Sequence, residues 1–68
     1  MSGLTSLKDK HMTCIAMLAD GKSAKQIAHS MGASTNAVYW MIRDAKKAIG
    51  VKKETALVAT AIREGWIE

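Results

Sequence analysis

Four of the five glycines, Gly21, Gly32, Gly50 and Gly65, separate segments in which apolar residues recur three or four positions apart. That spacing places apolar side chains on one face of a helix, and glycine readily takes the left-handed conformation in which many helices end. The sequence has no proline and almost none of the two-residue alternation that is typical of strands. We therefore predict an all-α fold.

The glycines and the residues that precede each apolar segment predict four helices. Ser6 and Asp9 have the spacing of a capping box, in which a serine and an acid satisfy the free N–H groups of a first turn, and Ser23 and Gln26 have the same spacing. Ser34 is a good residue for the start of a third helix. We expect a flexible lead over residues 1–5 and one domain over residues 6–68, with helices that start near residue 6 and run over about 24–31, 34–49 and 54–64, and a tail, Trp66 and Ile67, that packs back.

The length of 68 residues limits the chain to one domain with a thin margin of stability. Cys14 is the only cysteine, so no disulfide strengthens the fold, and its apolar helical position favours a small core residue over a nucleophile. Good helix packing, oligomerisation or a bound partner must supply the rest of the stability. The net charge of +4 favours an anionic partner only weakly, because many basic proteins bind none.

Several classes of function lack the residues that they require. His11 and His29 have no further ligands at metal-binding spacing around them, so we expect no metal and no other cofactor. The sequence shows no nucleophile–base pair, glycine-rich phosphate loop or carboxylate pair, so we do not expect an enzyme. No apolar run is long enough for a membrane span, and residues 1–10 lack the apolar centre of a signal peptide. We therefore expect a cytoplasmic protein with no membrane partner.

The stretch from Ala24 to Arg43 has the features of a helix-turn-helix unit, which is two helices joined by a tight turn. Ala28 is small where a second helix would cross closely, and Gly32 supplies the turn. The apolar residues that would fix the angle between the two helices are Ile27, Met31, Val38 and Met41. A purely structural helical hairpin would explain the same spacing.

The third predicted helix has one apolar face and one that is polar, basic and aromatic. At about 100° per residue, its apolar stripe is Val38, Met41, Ile42, Ala45 and Ile49, and the residues that point away are Asn36, Tyr39, Trp40, Arg43, Lys46 and Lys47. Arginine can bind guanine through two hydrogen bonds and asparagine can bind adenine. Lysines suit phosphates, although solvated lysines are also ordinary on helices. Two adjacent aromatic rings cannot both face one core, so we expect at least one on a surface that contacts DNA or protein.

The sequence resembles the DNA-binding domain of the LuxR/GerE class of bacterial transcription regulators. The resemblance runs from Leu7 to Ile67 and passes without a gap through Gly21, Gly32 and Gly50. The residues that carry it are Leu18 to Gly21, Ser23, Lys25, Ile27, Ala28, Met31, Gly32, Ser34, Val38, Ile42, Lys46, Lys47, Ile49 to Val51, Thr55 and Leu57 to Ala59. Region four of sigma factors shares part of this pattern and ranks second, because it normally lacks the segment after Gly50.

This resemblance implies a four-helix domain of the LuxR/GerE type whose third helix lies in the major groove. It places base contacts at Tyr39, Trp40 and Arg43. Asn36 is added to these base contacts because asparagine can bind adenine. The implied phosphate contacts are Ser23, Lys25, Ser34, Thr35, and Lys46 or Lys47. The resemblance also implies a homodimer through the fourth helix, whose apolar residues are Leu57, Val58, Ala61 and Ile62.

Two functions from different classes are compatible with these features. The first is a free-standing, sequence-specific transcription regulator of bacterial or phage origin, which binds double-stranded DNA as a homodimer. The second is a protein-binding module that pairs with another transcription regulator and modulates it, through the apolar residues of the fourth helix or through Tyr39 and Trp40. The second is motivated by Tyr39, which stands where the family usually has lysine, and by the lack of a recognisable sensory domain.

Overall fold

The structure, a computed structural model, describes residues 9–67, which form four helices and contain no strand. The helices are α1 (Asp9–Ala19), α2 (Ala24–Met31), α3 (Thr35–Ile49) and α4 (Glu54–Arg63). The all-α prediction is confirmed, and α4 ends one residue earlier than expected. The expected capping box of Ser6 with Asp9 and the flexible lead over residues 1–5 lie outside the described residues.

Two serines and a glycine define the helix-turn-helix unit. Ser23 begins α2 with the predicted capping box: the Gln26 N–H donates to Ser23 Oγ at 3.2 Å, and the Ser23 N–H donates to Gln26 Oε1 at 2.9 Å. Gly32 ends α2 with a φ of +65°, a conformation that is strained for most other residues. Ser34 then begins α3 by accepting the Ala37 N–H at 3.0 Å. Local contacts therefore fix both ends of the turn.

One face of α3 lies at the centre of the core, where α3 contacts each of the other three helices. The buried apolar residues are Cys14 and Ile15 of α1, Ile27 and Ala28 of α2, Val38, Met41, Ile42 and Ala45 of α3, and Leu57 and Ala61 of α4. Because this packing fixes the rotation of α3 about its own axis, it also decides which side chains α3 turns outward.

The tail after α4 packs back against this core, as predicted. The Trp66 N–H donates to the Ala61 carbonyl at 2.9 Å, and the side chains of Trp66 and Ile67 are partly buried against the core. The tail therefore adds apolar surface to the core beyond the end of α4.

Candidate nucleic-acid interface

The outward face of α3 is formed by Asn36, Trp40, Arg43 and Lys47. At about 100° per residue these side chains point away from the buried stripe, and all four residues are exposed. Trp40 is 59% exposed and the Arg43 side chain is 64% exposed, so the chain's own helices cover neither. Side chains able to bind adenine and guanine therefore stand uncovered on a capped, well-packed helix.

Tyr39 and Lys46 lie on one flank of this outward face. Helical geometry puts both roughly a quarter of a turn from its centre. Tyr39 is 53% exposed, whereas Lys46 is partly buried. Because Trp40 is exposed as well, both of the adjacent aromatic rings face solvent. Large exposed rings are typical of surfaces that contact another molecule.

An open groove of about 760 Å³ runs along the other flank of α3. Its lining residues are Lys10 and His11 of α1, Met31 and Ala33 beside the turn, and Ala37, Trp40, Met41, Asp44, Lys47 and Ala48 of α3. Lys10 and Lys47 bring two positive charges to this groove, and Asp44 brings one negative charge. No pattern in the sequence points to Lys10, because only the packing of α1 on α3 brings it to this surface.

The predicted phosphate ligands of α2 and α3 cluster at the first turns of the two helices. Ser23 and Lys25 lie at the start of α2, and Ser34 and Thr35 at the start of α3; Thr35 is partly buried and the other three are exposed. Each serine Oγ accepts a main-chain N–H, which leaves the hydroxyl proton available to an anion. Lys22, which no sequence motif indicates, lines a shallow hollow with Lys25. First-turn N–H groups also attract anions, so both helix starts suit phosphates.

Arg43 forms an ion pair with its neighbour Asp44 on the exposed side of α3. Arg43 Nε lies 3.8 Å from Asp44 Oδ1, and the two side chains are 64% and 58% exposed. An exposed pair of this kind contributes at most about 1 kcal/mol to stability. The pair therefore contributes little to the stability of the fold.

A comparison with known protein families agrees with this structure, in which the capped helices α2 and α3 are joined by a tight turn and α4 follows them. The model described as GerE, bacterial regulatory proteins of the luxR family, matches residues 5–61. The chain belongs to the luxR family. No curated protein matches the sequence. The LuxR/GerE fold is thus confirmed, and the chain is a helix-turn-helix domain of the kind that binds DNA in transcription regulation.

The fourth helix of this GerE domain carries two apolar stripes, one buried in the core and one beside a groove at the surface. Leu57 and Ala61 are both 0% exposed, so they belong to the chain's own core and, contrary to expectation, have no surface to offer a second molecule. Val58 is partly buried and Ile62 is 52% exposed. Val58 and Ile62 line an open groove of about 420 Å³ with Leu18, Ala19, Glu54, Thr55 and Ala59. We call Val58 and Ile62 the outer stripe of α4.

The described part of the GerE domain holds no group of His, Cys, Asp or Glu side chains that could bind a metal ion. Within residues 9–67, no helix has the length and apolar character to cross a membrane. Cys14 is 1% exposed, and burial, with a smaller contribution from the negative charge of Glu54, raises the pKa of its thiol. A buried, protonated thiol is a poor nucleophile, so Cys14 acts in packing.

Proposed function

We propose that this GerE domain is a sequence-specific transcription regulator that places α3 in the major groove and binds its site as a homodimer. The observation that carries the proposal is the division of α3 into a buried apolar face and an exposed face with Asn36, Trp40 and Arg43. The major groove admits an α-helix, and a helix that reads bases there needs polar side chains free on its outward face. Action on the DNA of a bacterium or its phage implies that the protein works in the cytoplasm.

The proposed base contacts define a short half-site. Arg43 donates to O6 and N7 of a guanine, and Asn36 pairs with N6 and N7 of an adenine. The rise of a helix separates these two residues by about 10 Å along the axis, which corresponds to about three base-pair steps. Trp40 lies between them and offers an apolar contact for a thymine methyl group. Tyr39, on the flank of α3, contacts the edge of the groove.

Phosphate contacts anchor the protein on either side of this base-reading face. The proposed ligands are Ser23, Lys25, Ser34, Thr35, Lys46 and Lys47. The serine hydroxyls and the first-turn N–H groups donate to phosphate oxygens, while the lysines neutralise charge. Such contacts set the register of the protein on the duplex and carry no sequence information. Each neutralised phosphate also makes binding more sensitive to salt.

The proposed homodimer uses the outer stripe of α4, Val58 and Ile62, together with Leu18 of α1. In a two-fold symmetric dimer the same patch of each protomer meets its copy, so the exposed Ile62 side chains become covered. Burial of apolar surface there would add stability to a domain that is small for independent folding. The two α3 helices would then read inverted half-sites about one turn of DNA apart.

The exposure of Ile62 at 52% also favours a second function, in which the same stripe of α4 pairs with a different transcription regulator. A purified luxR-family domain mixed with this chain would then form a mixed dimer in preference to the two homodimers. Sedimentation of the mixture and of each component distinguishes these cases. If only homodimers form, this second function loses its support.

Selection from a random duplex library at physiological salt, with sequencing of the retained DNA, tests the proposed function. We expect enrichment of an inverted repeat whose half-sites contain an adenine and a guanine about three base pairs apart. Retention of all sequences alike would contradict sequence-specific binding. Enrichment of a single, unrepeated half-site would contradict the homodimer.

A further inference from the structure

Asp44 is an acidic residue on the side of α3 that we propose faces DNA. It is the one acidic residue among the fifteen of this helix, and its side chain is 58% exposed. A carboxylate close to phosphates weakens binding to every duplex, because phosphate attraction provides most of the sequence-independent affinity. Asp44 therefore works against binding unless it improves another contact of the same surface.

The ion pair of Arg43 with Asp44 bridges the centre of the outward face of α3. Adjacent residues of a helix point about 100° apart and do not face each other. Arg43 and Asp44 therefore lie on opposite sides of the direction that points from the helix axis away from the core. Contact between Arg43 Nε and Asp44 Oδ1 at 3.8 Å therefore joins two side chains that start on either side of the outward face. The space between these two residues belongs to the part of α3 that points away from the core, where Trp40 and Lys47 also lie.

We propose that Asp44 is a positioning residue that orients Arg43 for guanine, an inference that rests on the proposed function. A guanidinium group has five N–H donors in a fixed fork. Engagement of Nε by the Asp44 carboxylate directs the two terminal nitrogens outward, where they meet O6 and N7 of the base. The carboxylate also restricts a long, flexible side chain before DNA binds, so less conformational freedom is lost in the complex.

Asp44 has an alternative role, the neutralisation of two nearby lysines, and the test must distinguish this role from the positioning of Arg43. Lys10 and Lys47 line the same groove as Asp44, and Lys47 is three residues further along α3, a spacing at which side chains can pair. If Asp44 acted by neutralising these lysines, its removal would strengthen binding to all duplexes by the same factor. A positioning role predicts, beside this general effect of charge, a loss of preference that is confined to the guanine read by Arg43.

The test compares two duplexes that differ in one atom of one base. The first is the duplex obtained by library selection. The guanine that Arg43 reads is the one whose replacement lowers the affinity of the parent but not that of Arg43→Ala. In the second duplex, this guanine is exchanged for 7-deazaguanine, which lacks N7. The affinities of the parent chain, Asp44→Asn and Glu64→Gln are measured on both duplexes and on a duplex of unrelated sequence. Glu64 is exposed just after α4, so Glu64→Gln is a control that removes the same charge outside α3.

We expect Asp44→Asn to bind the unrelated duplex more tightly than the parent does, because a negative charge is gone. Its preference for guanine over 7-deazaguanine should fall about two- to fivefold, the range for loss of an exposed ion pair, while Glu64→Gln keeps the parent's preference. An unchanged preference in Asp44→Asn overturns the proposal. A loss of preference at a base pair that Arg43 does not select also overturns the proposal, since Asp44 would then accept a hydrogen bond from a cytosine directly. If the parent itself binds all duplexes alike, the proposed function has failed and this inference fails with it.

Discussion

Replacement of Ile62 by glutamate is expected to dissociate the proposed dimer without unfolding the domain. Ile62 is 52% exposed, so about half of its surface is available for a partner. Full burial of an isoleucine stabilises by about 1.5–3 kcal/mol, and the exposed half therefore contributes about 0.75–1.5 kcal/mol. A symmetric interface contains this contact twice, which brings the loss to about 1.5–3 kcal/mol for the dimer.

This loss weakens dimerisation by about 10- to 150-fold, before any repulsion between the two new carboxylates. Sedimentation equilibrium of the full chain measures the dissociation constant, and circular dichroism checks that the helices are retained. Ala16→Glu is the matched control, because it adds the same charge at an exposed residue of α1 that does not line the groove beside α4. If Ile62→Glu dissociates no more readily than the parent and the control, the proposed interface on α4 is wrong.

Two further substitutions separate packing from DNA binding. Leu57→Ala removes a side chain that is 0% exposed and should lower the free energy of unfolding by about 2–5 kcal/mol; urea denaturation measures this value, and a loss near zero would place Leu57 outside the core. Lys47→Ala should leave the fold intact, weaken binding to all duplexes alike and reduce the salt slope of the affinity by about one. Fluorescence anisotropy over a salt series checks it, and an unchanged slope would exclude a phosphate contact.

The ends of the helices are predictable from the sequence because the residues that make them are close together in the chain. Ser23 and Gln26 form the capping box that their spacing indicates, and Gly32 takes the left-handed conformation expected after α2. The exposed face of α3 is also predictable, since a helix with a single apolar stripe buries that stripe and exposes the other side. Arg43 is exposed for this reason.

The assignment of α4 residues to the core or to a partner required the packed structure. Leu57 and Val58 are adjacent, as are Ala61 and Ile62, and all four are apolar, so composition does not show which of each pair faces inward. The structure buries Leu57 and Ala61 and leaves Ile62 exposed. The sequence likewise does not indicate the ion pair of Arg43 with Asp44, because ideal helical geometry does not bring neighbouring side chains face to face.

The affinity of Arg43→Ala for the selected site and for an unrelated duplex tests most directly whether α3 reads bases. Loss of a two-bond contact with guanine should reduce the preference for the selected site by about 1–3 kcal/mol, or about 5- to 150-fold. Arg63→Ala removes the same charge from the end of α4 and should keep the parent's preference. If Arg43→Ala weakens binding to both duplexes by the same factor, α3 does not read the guanine through Arg43, and its outward face does not select bases in the proposed way.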